Sequence, residues 1–219
     1  MGAWDVVYRK GLHPVPGSAA AYGALAIKEA LSYNGYQSNM VMTTPNLGGA
    51  FDHEARAFQR AHALVVDGEV GPRTGAALFA HRFTDFEQQY TIPDKLVCRM
   101  THLESACDPG AVGVSDPADL GIVQINMRAH PDISREHAFE PEWALDYLAA
   151  SLRRAHGSLG DWDAAVAAWN VGGGGASAWL AAGKPDSLYE PWYLDPTGKP
   201  IDLGMRATRY VELVRGQSC

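Results

Sequence analysis

Apolar residues recur at three- and four-residue intervals in several stretches of the chain, the spacing of one helix face. Leu96, Met100, Leu103 and Cys107 form one such stripe. Thr91, Pro93 and Asp94 supply a helix start before it, and Asp108-Pro109-Gly110 breaks it. Residues 19–33 predict a second helix, closed by Asn34-Gly35. In residues 143–156, Leu145, Leu148, Ala149 and Leu152 face inward and Gly157 ends the element. Asp161 caps the next helix, whose stripe is Trp162, Val166 and Trp169, with Trp162 read as core. Residues 205–215 predict a last helix, with Tyr210 facing the same way as Leu213 and Val214. His130-Pro131 and Glu140-Pro141 bracket a loop, and the proline-rich, aromatic residues 184–204 predict no regular element.

The first half carries an internal echo. Gly49-Ala50-Phe51-Asp52 followed by Ala57 matches Gly68-Glu69-Val70-Gly71 followed by Ala76, each a glycine turn, an apolar anchor and a short helix. Asp67-Gly68 supplies a tight turn and Pro72 suits a first helical turn. Arg73 and Thr74 are thereby expected on an exposed helix start, whose free N–H groups can hold a carboxylate or an acetamido oxygen.

Composition narrows the classes. The 219 residues suit one large domain or two small ones, and 47% hydrophobic with 20% charged residues is ample for a packed core. Net charge is −7 with Lys and Arg scattered, which argues against a nucleic-acid partner. No run approaches the roughly 18 apolar residues of a membrane span, so no membrane insertion is expected. The start, MGAWDVVYRKGLHPVPGS, has neither the charged end nor the apolar core of a signal peptide. Met1-Gly2 is a poor myristoylation match because Val6 stands at the sixth position. Synthesis in the cytosol is the expectation.

Three cysteines make no disulfide framework. Cys98 and Cys107 on one helix would lie roughly 13 Å apart, beyond a disulfide's reach. Either can in principle meet Cys219, but free, buried thiols are the favoured reading. Cys98 and His102 have helical i, i+4 spacing, yet no further ligand follows at a zinc-like distance, so no metal is expected. The Gly172–Gly175 run is no phosphate loop. Its glycines suit a tight turn that a ligand approaches closely, or equally a flexible loop.

Glu104 sits at the edge of the first stripe, beside Leu103 and one turn on from Met100. Partial desolvation there favours the protonated carboxyl that a general acid needs. A loop then delivers Asp119, and the short apolar segment 121–125 carries Gln124 and leads to Asn126. Two acids and an amide pair within 23 residues fit a sugar-cleaving constellation. The same spacing also fits a helix-ending Glu held in a salt bridge.

Four motifs in order, ESACDP, GIVQIN, AAWNVG at 167–172 and ATRYVELV at 207–214, resemble the lysozyme-like superfamily that includes soluble lytic transglycosylases. The resemblance covers roughly residues 93–215. It implies that Glu104 is the catalytic acid, and that Gln124, Asn126, Asn170 and Tyr210 line the cleft. Trp169 stands where those enzymes more often have tyrosine, and is expected to stack on a sugar face. DLGIVQIN also resembles the DYGxxQIN of animal-type lysozymes, which implies Asp119 as a second catalytic carboxylate. A turn aspartate after Pro117 is the rival reading. Residues 184–204 would then suit a lid on the cleft.

Residues 51–79 resemble the three-helix peptidoglycan-binding module patterned AFQ…L…DG…G…T…L, over roughly 22–80. The match rests on Ala57, Phe58, Gln59, Leu64, Asp67, Gly68, Gly71, Pro72, Thr74 and Leu78. The expected architecture is mainly α: a small three-helix peptidoglycan-binding domain plus an α+β lysozyme-like catalytic domain. Its expected bounds are 1–82 for binding, with Arg73 and Thr74 meeting the wall, 83–92 for a linker, and 93–219 for catalysis. The pairing resembles a bacteriophage endolysin: a monomer without cofactor, acting at the wall after release. The reaction it implies cuts the β-1,4 bond between N-acetylmuramic acid and N-acetylglucosamine. A lytic transglycosylase and an inactive wall-binding or virion structural protein are the alternatives.

Overall fold

A computed structural model describes residues 6–219, so the Met1-Gly2 start lies outside the described residues. The elements are α1 (Ala19–Tyr33), α2 (Gly49–Ala61), α3 (Pro72–Gln89), α4 (Leu96–Ser105), β1 (Asp119–Leu120), β2 (Ile125–Asn126), α5 (Arg135–Phe139), α6 (Pro141–Leu159), α7 (Trp162–Ala181), β3 (Tyr189–Leu194), β4 (Pro200–Asp202) and α8 (Leu203–Arg215). The fold is mainly α, and among the described residues there are two small antiparallel hairpins, β1–β2 and β3–β4. The chain divides into two units, residues 1–85 with 100–146 and residues 86–99 with 147–219.

In the first unit, α1 has the bounds its sequence predicts. Ser18 Oγ accepts from the Ala21 amide at 3.2 Å, and the Asn34 amide closes the far end on Ala30 at 3.1 Å. Its Ala24, Ile27 and Leu31 are fully buried, as are Ala55 and Phe58 of α2 and Leu78 of α3. Lys28, 2% exposed, holds the following loop by donating from Nζ to the Val41 and Thr44 carbonyls at 2.8 and 2.6 Å. Gln59 organises the Asp67-Gly68 turn. Its Nε2 donates to Asp67 Oδ1 at 2.8 Å and to the Glu69 carbonyl at 2.9 Å, while its Oε1 accepts from the Gly68 amide at 2.9 Å. The glutamine of the AFQ motif is therefore a turn clamp.

One sequence expectation changes at α3. The residues read as the 83–92 linker continue this helix through Gln89, because Phe79, Phe83 and Phe86 keep one buried face at helical spacing. The turn follows only at Tyr90 and Thr91. Residues 100–146 group with the first 85.

In the second unit, α4 begins at Leu96, later than the Thr91 signal suggests. Buried Glu87 supplies the cap, accepting the amides of Lys95 at 2.8 Å, Val97 at 2.9 Å and Cys98 at 3.3 Å. Burial raises its pKa, with the three amides opposing. Cys98 and Cys219 form a disulfide, their Cα atoms 6.2 Å apart, which corrects the expectation of free thiols for that pair. The partners lie 121 residues apart, and no local spacing reports such a meeting. Cys107 is free and buried as expected.

Helix α6 buries Leu145, Leu148, Ala149 and Leu152 but runs past Gly157, and the Gly160 amide closes it on His156 at 2.8 Å. Asp161 caps α7, accepting from the Ala164 amide at 2.9 Å. Trp162 is half-buried and stacked on His156 at 4.0 Å, rather than core. The glycine run continues α7 as helix across a kink at Gly172 (φ 76°, ψ 160°), a backbone state essentially reserved for glycine. Within residues 184–204 the chain forms the β3–β4 hairpin, held by Asp195 and Asp202, where the sequence predicts no regular element. In α8, Tyr210 and Val214 face inward, whereas Leu213 is exposed.

Candidate active site

Glu104 occupies the last turn of α4 and is half-buried. The helix stops at Ser105, two residues before Cys107, because Ala106 (φ 55°) and Cys107 (φ 67°) turn left-handed. Ser105 fixes this end: its hydroxyl donates to the Ile122 carbonyl at 2.7 Å and accepts from the Asp108 amide at 3.1 Å. Ile122 lies in the turn between β1 and β2, so the end of the helix carrying Glu104 is tied directly to the hairpin carrying Asp119. Cys107, beside it, is fully buried, and burial pushes its thiol up, leaving it unreactive.

The hairpin is short and specific. Asp119 pairs with Asn126 and Leu120 with Ile125. Gly121 (φ 75°) makes the turn, and a Cβ there would run into the Ala138 carbonyl, so this motif glycine is a close-approach requirement. Gln124 also has a positive φ, 55°, and its Nε2 donates to the Gly121 carbonyl at 2.9 Å. Its Oε1 accepts no bond among the described residues, so its acceptor capacity is unused there.

Asn126 is bonded within the hairpin. Its Nδ2 donates to Asp119 Oδ1 at 2.7 Å and to Asp116 Oδ2 at 3.3 Å, while its Oδ1 accepts the amides of Arg128 and Ala129 at 3.0 and 3.1 Å. Both ends of the amide are committed inside the hairpin, so it positions Asp119. Asp119 is half-buried, and burial lifts its carboxyl above the ordinary aspartate range. The Asn126 bond and Arg128 pull the other way, and Asp116 reinforces the rise.

Sequence reasoning missed Asp116. Its Oδ1 accepts the Ala118 amide at 2.9 Å and its Oδ2 pairs with Arg128 at 2.8 Å, and the Ala118 amide leads the causes that hold its pKa down. An Asp-Pro step opening a turn was the available signal.

The second unit holds the remaining expected residues. Trp169 is half-buried, its ring 6.2 Å from Tyr147 in an edge arrangement. Asn170 is exposed, two residues before the Gly172 kink. Tyr210 is only 7% exposed, because α8 turns it inward. On the first unit, Arg73 is exposed as expected, but Thr74 is buried, its hydroxyl 3.4 Å from Gln59 Nε2. Thr74 therefore belongs to the turn clamp. A cavity of about 300 Å³ in this unit is walled by Glu29, Tyr33, His81, Arg82, Glu140 and Glu142, with neither Arg73 nor Thr74 among its walls.

Residues 82–187 match the family described as "Transglycosylase SLT domain". Residues 23–78 match the family described as "Putative peptidoglycan binding domain". No curated protein matches the chain. The class is thus defined: the chain carries an N-terminal peptidoglycan-binding domain and a C-terminal lysozyme-like SLT domain. The SLT match takes in Glu104, Asp119, Gln124, Trp169 and Asn170, and ends before Tyr210. The two domains together support peptidoglycan as the partner and its degradation as the activity. No described helix is long and apolar enough to cross a membrane.

Proposed function

We propose that the protein hydrolyses the β-1,4 bond between N-acetylmuramic acid and N-acetylglucosamine, with Glu104 as general acid and Asp119 as the second carboxylate. The observation that carries this reading is the Asn126–Asp119 bond. One carboxylate oxygen is oriented by a side-chain amide at 2.7 Å, and the other accepts no bond among the described residues. A carboxylate so held is ready to stabilise or trap an oxocarbenium-like sugar, or to activate water. Glu104, at the end of α4, must carry a proton to donate to the bridging oxygen.

Under this reading Gln124 Oε1, Trp169 and Asn170 meet the sugar and its acetamido groups, and no metal or cofactor takes part. Tyr210 acts from behind, holding α8. The N-terminal module, with Arg73 at the exposed start of α3, anchors the monomer on the wall, and the biological role is lysis of a host cell as an endolysin. A second reading, a lytic transglycosylase, is favoured by the SLT family match itself. There the muramic acid's own C6 hydroxyl attacks, a 1,6-anhydro end forms, and Asp119 only orders its loop.

Digestion of purified peptidoglycan with mass analysis of the products tests the shared part of both readings. Disaccharide-spaced fragments are expected from the parent. Glu104→Gln should stay folded and slow their release by roughly 10²–10⁴-fold. A folded Glu104→Gln protein working at the parental rate would remove Glu104 from the chemistry.

A further inference from the structure

The N-terminal segment reaches the acid's helix end through one side chain. Tyr8 is fully buried, and its phenol donates to Asp108 Oδ1 at 3.1 Å. The same oxygen accepts the Gly110 amide at 2.9 Å. Asp108, 3% exposed, is in turn bonded through its own amide to Ser105 Oγ, the hydroxyl that holds Ile122. A continuous path of hydrogen bonds therefore runs from Tyr8 to the residue beside Glu104, and on to the turn of the Asp119 hairpin.

The fold makes room for this phenol. A Cβ on Gly23 of α1 or on Gly110 would run into the Tyr8 hydroxyl, so two glycines from separate segments form the slot it enters. Tyr8 is fixed from its other side by the peptidoglycan-binding module. Its amide donates to the Val70 carbonyl at 3.3 Å and its carbonyl accepts the Val70 amide at 2.8 Å, one residue after Glu69, whose carbonyl Gln59 holds. Val70 and Tyr8 form a β-bridge. Burial, with the Asp108 carboxylate beside it, pushes the phenol's pKa far up, so it stays a donor at every working pH.

We propose that Tyr8 is a positioning residue for catalysis, linking the Val70 turn of the wall-binding module to the Glu104 helix end through Asp108 and Ser105. The proposal rests on the reading of Glu104 as the acid. It assigns the binding module a part in building the active site, beyond holding the enzyme on its wall. Small displacements of a catalytic group lower rate more than binding, because alignment matters at the transition state.

The test uses the full chain on soluble glycan strands, where anchoring to an intact wall contributes nothing. Tyr8→Phe keeps the ring and deletes the donor. It should lower kcat by about 10-fold or more while KM stays within about twofold. Asp108→Asn retains an acceptor oxygen for both Tyr8 and Gly110 and should restore most of the parental rate, whereas Asp108→Ala should match Tyr8→Phe. Adding Tyr8→Phe to Asp108→Ala should cause no further loss. Hydrogen exchange reads the link without any activity: the Asp108 and Gly110 amides should exchange faster in Tyr8→Phe. Unchanged kcat in folded Tyr8→Phe overturns the proposal, as does unchanged exchange at both amides. A parent and Glu104→Gln of equal rate would instead remove the reading on which it rests, with the exchange result still deciding the link.

Discussion

The described residues hold two small hairpins, each dependent on aspartates, and one of those aspartates behaves differently from the rest. In β3–β4, Asp195 accepts the Thr197 amide at 2.8 Å, the Thr197 hydroxyl at 2.7 Å and the Lys199 amide at 2.9 Å. Asp202 accepts the Leu188 and Met205 amides at 3.0 and 2.9 Å and the Ser187 hydroxyl at 2.7 Å, capping α8 as it does so. Both carboxyls are held below the ordinary aspartate range: the Thr197 hydroxyl is the foremost cause for Asp195, and the Met205 amide for Asp202. In β1–β2, Asp116 follows the same rule, but Asp119 does not. It accepts one side-chain amide, and burial raises it. Aspartates that build loops here are saturated by donors and stabilised as anions. Asp119 is neither, which is the pattern of a group kept for chemistry.

The first way to break this contrast is Asp119→Asn. If Asp119 is the second carboxylate, the substitution should leave the hairpin folded and reduce cleavage by roughly 10²-fold or more. Steady-state kinetics on soluble glycan strands check it. The parental rate should also fall as pH falls through the raised Asp119 pKa, above the ordinary aspartate value, since the ionised form is required. Stability carries the opposite sign. The fold binds the Asp119 proton more tightly than the unfolded chain does, so its contribution declines as pH rises through that window. The contributions of Asp195 and Asp202 are lost as pH falls through their depressed values.

Next in size comes the disulfide. Cys219→Ser removes a link across 121 residues and should cost about 2–4 kcal/mol of unfolding free energy, measured in denaturant against the parent. It should leave the pH–rate profile in place, because the disulfide orders the start of α4 and not the hairpin. The smallest effect belongs to a loop aspartate. Asp202→Ala deletes a helix cap and should lower Tm by about 2–4 °C with an unchanged rate. A rate loss there as large as that of Asp119→Asn would erase the distinction between the two hairpins.

Local chemistry was legible in the sequence. The bounds of α1 follow from Ser18 and Asn34-Gly35, and the start of α7 from Asp161, because these signals act within a turn of the residues they cap. The ordered motifs around Glu104, Gln124 and Asn170 announced the lysozyme-like domain, and AFQ with DG announced the binding module. What stayed hidden acts across distance. Glu87 caps α4 from another helix, and Cys98 meets Cys219 at the far end of the chain. The β3–β4 hairpin lacks alternation, since Tyr189, Trp192 and Leu194 are all exposed, and Pro191 argues against a strand. The glycine run has poor helix propensity, yet Gly175 is packed against Val171 and Leu203, so tertiary packing overrides it.

The same division holds at the site. Asn126 was legible as a motif residue, but its role was not: the cross-strand register aims its amide at Asp119. Thr74 was misread for a similar reason, since a helix start that looks exposed is buried by the Gln59 clamp.

The central claim is that Asp119 serves hydrolysis, and digestion of peptidoglycan in ¹⁸O-labelled water tests it most directly. The account predicts one ¹⁸O atom at each new reducing end from the parent, and loss of that labelled product in Asp119→Asn. Unlabelled 1,6-anhydro ends, formed at the parental rate by Asp119→Asn as well, would contradict it and make Asp119 a loop residue like Asp202.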